Sequence, residues 1–315
     1  MIDSTMQAVR VHQYGNTDEL QLETIERPQP KMGEVLVRVH AVGVLPADVK
    51  TRLGYFKSFR HMTFPYTPGS AFAGVIETLG EGVSNFKVGQ AVLGRTNNGA
   101  SAEYLTASTE TIAVKPDEIS FAEAATISGG ATTAWSALFE NANLQAGQRV
   151  LVHAAAGGVG LFAVQFARWK GAHVIGTASA SNLDFVRSLG AEQLIDYNNA
   201  RFEDEVSDVD VVLDAVGGDT TQRSMQVIKA GGILVSLLAQ PDQTEAQKYD
   251  IRAMNNSVTQ PFPSTHLLDT IAQLMADGTI KTLIAEEFPL AEVRLAHQRV
   301  ETGHSRGRVI LHITD

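Results

Sequence analysis

The sequence of 315 residues contains no cysteine. Disulfide bonds, cysteine nucleophiles and thiolate-bound zinc are therefore excluded. The chain also lacks a long apolar run, since its most apolar short stretch, residues 231–239, is less than half the length that crosses a bilayer. Charged residues are scarce at 19%, whereas the hydrophobic content of 44% is ordinary for a globular chain. Together with the length, these features predict a globular protein of about two domains that is not embedded in a membrane.

A basic surface is missing as well. The formal net charge is −10, and no cluster of Lys and Arg stands out. Because such a surface repels polyanions, nucleic acid is not expected as a partner. The stretch Met1–Gln13 has no basic segment followed by a long apolar one, so it does not resemble a signal peptide, and we expect a cytoplasmic protein.

The sequence has two regions that differ in their residue patterns. The first ~120 residues are rich in Val, Ile and Leu and are punctuated by turns. The strands predicted there are Met6–His12, Leu20–Ile25, Glu34–Val44 and Phe72–Leu79. An Ala-rich helical stretch, Phe121–Phe139, follows, interrupted by Gly129-Gly130.

After this stretch, strands alternate with helices, which predicts an α/β fold with a doubly wound parallel sheet. The predicted strands are Arg149–His153, His173–Gly176, Gln193–Ile195, Val209–Asp214 and Ile233–Leu238. The predicted helices are Gly158–Lys170, Leu183–Leu189 and Thr220–Ile228. A helix over Leu267–Met275 and a closing strand over Arg308–Ile313 complete the chain.

The strongest local motif is a glycine-rich loop between a predicted strand and a predicted helix. Its candidate binding residues are Ala155, Gly157, Gly158, Val159 and Gly160. Gly157 would let the backbone approach a pyrophosphate, Gly160 would let helix and strand pack closely, and Ala155 stands where the first glycine usually makes the tight turn. The free N–H groups at the helix start would bind the phosphates. A glycine turn that binds nothing is the alternative, but the strand–loop–helix context favours a dinucleotide site.

The stretch Gly176–Asn182, about 20 residues further on, indicates which dinucleotide binds. NAD-binding chains usually place an acidic residue there to hold the ribose diol, and this stretch has none. The hydroxyls of Ser179 and Ser181 can instead donate to a 2′-phosphate, so NADPH is preferred over NADH. The alternative is that these residues only cap the next helix.

Several motifs in the same order resemble the medium-chain dehydrogenase/reductase superfamily. The closest resemblance is to its zinc-free quinone oxidoreductase branch, which includes zeta-crystallin and plant enone oxidoreductases. The resemblance spans nearly the whole chain. The matching segments are Met6–Gly15, Leu45–Lys50, Thr132–Ala134, Ala155–Gly160, Gly176–Ser179, Ser188–Ala191, Ile195–Tyr197 and Ser305–Leu311.

The resemblance implies an architecture and a set of cofactor contacts. A GroES-like β-domain would comprise residues 1–122, completed by 262–315, and a Rossmann dinucleotide-binding domain would comprise 123–261. Ser179 and Tyr197 would lie near the adenosine phosphate, and Thr133, Val216 and Gly217 along the nicotinamide half. Relatives of this kind are commonly homodimers. Arg306, in the C-terminal turn, either approaches a cofactor phosphate or faces solvent.

No metal is expected. Zinc-using members of the superfamily have a Cys in the segment occupied here by Leu45–Asp48 and a His-Glu pair near Gly69. This chain has Ser70 and Ala71 there. Related enzymes often have an Asp at the position of Ala71, and its polar contact is absent here.

Lys50 and Tyr55 are the catalytic candidates. Hydride delivery to a quinone or an enone builds negative charge on a carbonyl oxygen, which a donor must stabilise in the absence of zinc. The resembled enone oxidoreductases have a lysine at position 50, in a loop facing the nicotinamide; the alternative is a solvent-facing lysine. Tyr55 is either a phenolic donor or an aromatic wall.

Other side chains in this region have structural alternatives. Asp48 either pairs with Lys50 or anchors the loop. His61 could border the substrate site, and Phe56, Phe59 and Phe64 could wall it or fill the core.

The sequence therefore predicts NADPH-dependent, metal-free reduction of quinones or α,β-unsaturated carbonyls. The alternatives are reduction of simple aldehydes, or a non-catalytic NADPH-binding protein acting as a redox sensor or an RNA-binding moonlighter.

Overall fold

The computed structural model of the chain describes residues 4–58, 61–256 and 263–313. Phe59 lies outside the described residues. The chain divides into two compact units. Unit 1 takes in the described residues of 1–129, 262–278 and 282–315. Unit 2 takes in those of 130–261 and 279–281.

The described residues form the following strands and helices. The strands are β1 (Thr5–Arg10), β2 (Gln21–Glu26), β3 (Glu34–Val44), β4 (Ala71–Leu79), β5 (Ala91–Arg95), β6 (Tyr104–Ser108), β7 (Ile112–Val114), β8 (Arg149–Val152), β9 (His173–Ala178), β10 (Gln193–Asp196), β11 (Val209–Asp214), β12 (Ile228–Ser236), β13 (Arg252–Asn255), β14 (Ile284–Pro289) and β15 (Arg308–His312). The α-helices are α1 (Pro46–Arg52), α2 (Phe121–Ala124), α3 (Thr132–Trp135), α4 (Gly160–Trp169), α5 (Leu183–Leu189), α6 (Phe202–Glu205), α7 (Asp219–Met225), α8 (Gln243–Lys248), α9 (Thr265–Ala276) and α10 (Val293–Glu301).

Unit 1 is built on a mostly antiparallel sheet. The strand order is β14-β15-β3-β4-β5-β7, with β6 also paired to β3 and with β1 and β2 forming a separate hairpin. Among the described strands of the larger sheet, only β14 and β15 pair in parallel. Val35, Val37 and Val39 of β3 are completely buried, as their alternation in the sequence predicts, and contribute to the core of this unit.

Unit 2 contains a six-stranded parallel sheet in the order β10-β9-β8-β11-β12-β13. In chain order this is 3-2-1-4-5-6, the strand order of a Rossmann fold, and it reverses between β8 and β11. All six residues of β11 are buried, as expected of a parallel strand covered on both faces. The predicted fold class, a GroES-like β-domain with a doubly wound Rossmann domain, is confirmed.

The stretch 121–139 is interrupted near Gly129, as predicted: Ser128 has ψ 131° and Gly129 has φ 72°, and the stretch continues as α3 and a π-helical turn. Another predicted helix ends earlier in the structure. The helix predicted over Thr220–Ile228 stops at Met225, and β12 already starts at Ile228, with Gly231 and Gly232 inside it. Because glycine is depleted in strands, Gly231 and Gly232 kept the first half of β12 from being predicted from the sequence. No helix in the described ranges is both long and apolar enough to cross a membrane.

Candidate functional site

One edge of the unit 2 sheet collects most of the predicted cofactor residues. The loop 153–159 follows β8, Ser179 follows β9, Tyr197 follows β10, and Val216 follows β11. Because the four strands are parallel, their carboxyl ends lie at the same edge. The β8 and β11 loops flank the point where the strand order reverses, which is where open α/β sheets bind ligands.

The glycine-rich loop turns sharply and then starts α4. Ala154 has a positive φ of 53°, and the N–H of Ala155 donates to the carbonyl of Thr177 at 3.0 Å. A Cβ atom on Gly160 would lie 2.2 Å from the Ala154 oxygen and 2.7 Å from the Ala155 Cα. Helix α4 can therefore start this close to the loop only because residue 160 has no side chain.

Ser179 and Tyr197 meet at the far side of the same edge. The N–H of Tyr197 donates to the carbonyl of Ala178 at 3.3 Å, next to Ser179. The Asn182 amide donates to the Ser179 hydroxyl at 3.0 Å, and the hydroxyls of Ser179 and Ser181 are 3.3 Å apart. No acidic residue stands between the end of β9 and Asn182. This polar group and the half-exposed Tyr197 ring (53%) suit the phosphorylated end of a dinucleotide.

Asp214, at the end of β11, holds the third loop. Its carboxylate accepts hydrogen bonds from the N–H groups of Val216 (2.8 Å) and Gly217 (3.0 Å) and from the hydroxyl of Thr221. Asp214 is completely buried, whereas Val216 is 48% exposed. The buried carboxylate thus fixes a loop whose apolar side chain is available for contact with a flat ring.

His153 connects three elements at this edge of the sheet, although no role was predicted for it from the sequence. It is 2% exposed, and its two ring nitrogens lie 3.0 Å from the Thr177 hydroxyl and 2.9 Å from the Ser224 hydroxyl. The Ser224 hydroxyl donates to the Thr220 carbonyl, so it accepts from Nε2–H of His153, and Nδ1 accepts from Thr177. The neutral ring thereby links β8, β9 and α7.

Burial lowers the pKa of His153 to about 4, and the positive charge of Arg223 acts in the same direction, against the negative charges of Asp214 and Glu203. This is below the ordinary value of 6.5. As the pH falls, the unfolded chain takes up this proton before the folded one does, so the contribution of His153 to stability is lost between those two values.

Because of His153, we expect the free energy of unfolding of the wild type to fall by about 2 kcal/mol between about pH 7.5 and about pH 5. In His153→Gln this part of the fall should be absent. Urea unfolding at both pH values measures the loss. His304→Gln, which removes an exposed histidine, is the matched control. If the free energy of unfolding fell equally between the two pH values in wild type and His153→Gln, the lowered pKa of the buried His153 would be contradicted.

Two further predicted cofactor residues are not on the loops that follow these strands. Thr133 is half-buried on α3, which packs against α4. Arg306 is exposed between α10 and β15, in unit 1. Their assignment to the cofactor stays a prediction.

The residues at the sheet edge fit a dinucleotide. The strand order, the turn after β8 that tolerates no Cβ at residue 160, and the hydroxyl and amide donors after β9 are what pyrophosphate and adenosine binding require. The residues after β8 would hold the pyrophosphate, and Ser179, Ser181 and Tyr197 the adenosine end.

The catalytic candidates lie on and after α1 in unit 1. The predicted loop around Lys50 is wrong: Pro46 starts a helix that includes Lys50. Proline at the first helical position and Asp48, whose carboxylate accepts from the Leu45 N–H at 2.9 Å, explain this start. Asp48 is thus an anchor for the segment. Lys50 is half-buried, and Tyr55 is 68% exposed.

A cleft of about 350 Å³ lies beside α1, within unit 1. Its lining comes from three segments: α1, residues 62–70 and the end of β5. The lining residues are Ala47, Asp48, Thr51, Met62, Tyr66, Thr67, Pro68, Gly69, Ser70, Arg95, Thr96 and Asn97. From the sequence, Asp48 was considered as a partner of Lys50 or an anchor of the segment, and Arg95 was not considered. Lys50 and Tyr55 are not among the described residues that line it.

Phe64 and His61 were further candidates for the border of the substrate site. Phe64 packs edge-on against Tyr14, with ring centroids 4.9 Å apart, and lies against the core of unit 1. His61 is exposed. Among the described residues, no three His, Asp or Glu side chains are grouped so that they could hold a metal ion.

Comparison with known proteins identifies the family. Residues 31–134 match the family described as "Alcohol dehydrogenase GroES-like domain", and residues 189–311 match "Zinc-binding dehydrogenase". The quinone oxidoreductase of Mus musculus is 32% identical over 324 residues, covering 97% of both chains. The 2-methylene-furan-3-one reductase of Solanum lycopersicum is 32% identical over 331 residues, covering 99% of this chain and 80% of that one.

A solved structure agrees with these relatives. The quinone oxidoreductase from Coxiella burnetii superposes with a TM-score of 0.89 at 32% identity, covering 98% of this chain and 100% of that chain. The chain therefore belongs to the medium-chain dehydrogenase/reductase superfamily, as an oxidoreductase related over its full length to the quinone oxidoreductases.

Proposed function

We propose that the protein reduces quinones or α,β-unsaturated carbonyl compounds with NADPH. The observation that carries the proposal is the edge of the unit 2 sheet, where a glycine turn at the strand-order reversal is joined by hydroxyl donors after β9. The two relatives are named for quinone and enone-type reduction, which supports the substrate class. NADPH held at this edge would supply the hydride.

The residues of this chain have three tasks in the proposed reaction. The N–H groups at the start of α4 bind the pyrophosphate, and Asp214 and His153 hold the neighbouring loops in place. Lys50 and Tyr55 remain the proposed donors to the carbonyl oxygen on which negative charge develops. Solvent supplies the proton that completes the reduction.

The preference for NADPH is tested by Ser179→Asp. A carboxylate at this position repels a 2′-phosphate and can accept from a ribose diol. We expect the dissociation constant for NADPH to rise about tenfold or more, because the new charge replaces a donor. The constant for NADH should stay the same or fall. Fluorescence titration with each cofactor measures both.

Ser188→Asp is the matched control, because it adds the same charge to an exposed position on α5 of the same unit. The NADPH to NADH ratio should not change in this variant. If Ser179→Asp and Ser188→Asp behave alike, the adenosine phosphate does not bind at Ser179.

The homodimer and the cytoplasmic location remain predictions. Steady-state oxidation of NADPH by a panel of quinones and enones, run beside NADH and simple aldehydes, tests the proposed activity.

A further inference from the structure

The cleft of unit 1 is lined by several polar side chains that are already engaged within the protein. The Thr51 hydroxyl donates to a carbonyl of its own helix at 2.8 Å. The Thr67 hydroxyl accepts from the Arg10 guanidinium at 3.1 Å, and the Thr96 hydroxyl donates to the Thr106 carbonyl at 2.8 Å. These threonines therefore stabilise the walls of the cleft.

Charge does not select a ligand for this cleft. Arg95 and Asp48 contribute one positive and one negative charge to the described lining, and each takes part in other interactions. A neutral ligand with a polar group, such as a carbonyl compound, suits such a lining better than an ion does.

Ser70 differs from the other hydroxyl residues of the cleft. It is half-buried in the lining, and its hydroxyl has no hydrogen-bond partner among the described residues. The amide of Asn97 also has no such partner, but Asn97 is exposed, so solvent can satisfy its amide. The Ser70 hydroxyl is thus available to donate to a ligand inside the cleft.

The backbone around Ser70 is held on both sides. Its carbonyl accepts from the N–H of Thr96 at 2.9 Å, and the next residue, Ala71, is completely buried and pairs with β5. On the other side, the carbonyl of Gly69 accepts from the N–H of Ala100 at 3.0 Å. A donor on a fixed backbone can stabilise a developing charge without reorganisation during the reaction.

The opposite wall, formed by α1, presents no comparable donor. Its lining residues Ala47, Asp48 and Thr51 lie on one face of the helix, because residues three and four apart are neighbours there. Alanine has no polar group, an ionised carboxylate only accepts, and Thr51 already donates within the helix. Lys50 is not part of the described lining, whereas Ser70 is.

We propose that Ser70 is a further catalytic residue, whose hydroxyl donates a hydrogen bond to the carbonyl oxygen of a quinone or enone bound in the cleft of unit 1. This inference rests on the proposed function for the reaction itself. When an enone is reduced, the hydride lost by NADPH forms a C–H bond at the β-carbon. The alkene electron pair then forms a double bond from the α-carbon to the carbonyl carbon, and the carbonyl π pair moves onto the oxygen.

Ser70 keeps its proton throughout and stabilises the negative oxygen. Solvent gives the α-carbon the proton that completes the reduction. The donor acts more strongly on the negative oxygen than on the neutral carbonyl, so its loss should affect kcat more than KM.

Infrared spectroscopy of a bound enone tests this hydrogen bond. The probe is benzalacetone, isotopically labelled at the carbonyl carbon and bound to the full chain saturated with NADP⁺, which cannot reduce it. The carbonyl stretching band moves to lower wavenumber when the oxygen accepts a hydrogen bond. The chain has no cysteine, so addition of the enone to a thiol does not interfere.

The band should lie at lower wavenumber in wild type than in Ser70→Ala. Ser70→Thr, which keeps a hydroxyl, should resemble wild type. In steady-state assays, Ser70→Ala should lower kcat for benzalacetone at least about tenfold, the lower end of the effect of losing a donor to a negative oxygen. Ser84→Ala, which removes an exposed serine of unit 1 outside the described lining, should match wild type in both measurements.

The inference is overturned if benzalacetone does not bind to wild type, or if its carbonyl band is the same in wild type and Ser70→Ala. Binding beside NADP⁺ does not require turnover, so the two proposals fail separately. A band that depends on Ser70, without oxidation of NADPH by enones or quinones, would contradict only the proposed function. Reduction of benzalacetone with a band and a kcat that Ser70→Ala leaves unchanged would contradict only the role of Ser70.

Discussion

Replacing Gly160 by alanine is expected to lower the free energy of unfolding by about 3 kcal/mol, as in strong overpacking, and to weaken dinucleotide binding about a hundredfold. Alanine favours a helix over glycine by about 1 kcal/mol. The steric cost of the added Cβ is larger, so we expect the substitution to destabilise the protein. The added Cβ would meet the Ala154 oxygen at 2.2 Å and the Ala155 Cα at 2.7 Å. Both are backbone atoms, so the loop must move away from α4, and the proposed phosphate-binding geometry is lost with it.

Gly157→Ala separates folding from binding. Its Cβ would meet only the Ala154 oxygen, at 3.2 Å, so the unfolding free energy should change by no more than about 1 kcal/mol. In the dinucleotide fingerprint the glycine at this position lets the backbone approach the pyrophosphate, so binding should still weaken. Urea unfolding and NADPH titration of both variants measure the difference. A Gly160→Ala protein with wild-type stability and affinity would contradict the assigned packing.

Replacing Arg52 by methionine is expected to destabilise the protein by about 2–3 kcal/mol, the upper part of the range for losing a hydrogen-bond donor, because Arg52 is buried but the side chain of Glu301 is 35% exposed. Arg52 is completely buried, donates to the Gly15 carbonyl at 2.7 Å and pairs with Glu301 of α10. His297, also on α10, does not compete for Glu301, because burial and the charge of Arg52 lower its pKa to about 3 and keep it neutral. Removal of the guanidinium leaves the Gly15 carbonyl and the Glu301 carboxylate without this donor.

Arg187→Met is the matched control for this loss. Arg187 pairs with Asp184 at the surface, with side chains 63% and 97% exposed, and such pairs contribute no more than about 1 kcal/mol. Denaturant unfolding of both variants gives the comparison. If Arg52→Met were as stable as Arg187→Met, the contacts of Arg52 with Gly15 and Glu301 would contribute no more to stability than a surface ion pair.

The parts of the fold that depend on local pattern were predictable from the sequence. The bounds of β3, α5 and β11 agree with the predicted ones, because alternation, capping and continuous apolar runs are local properties. The glycine loop was recognised for the same reason, since its strand–turn–helix context lies within one short stretch. Strands β5, β6 and β7 were missed, because they are only five, five and three residues long and their buried residues do not alternate with exposed ones.

The residues missed at the site depend on contacts between distant segments. His153 bonds to Thr177 and Ser224, 24 and 71 residues away, and no local pattern distinguishes it from an ordinary residue at the end of a strand. Arg95 lines the cleft together with α1 and residues 62–70 only after the sheet has formed. The helix around Lys50 was missed although Pro46 and Asp48 are helix-start signals, because the resemblance to a family loop outweighed them.

Transfer of deuterium tests the central claim most directly. NADPH carrying deuterium at the reactive position of the nicotinamide is incubated with the protein and an enone, and the reduced product is examined by mass spectrometry. We expect one deuterium per product molecule, together with consumption of NADPH. Binding of NADPH with neither labelled product from enones nor oxidation of NADPH by quinones would contradict the proposed reductase, and failure to bind either NADPH or NADH would contradict the dinucleotide site itself.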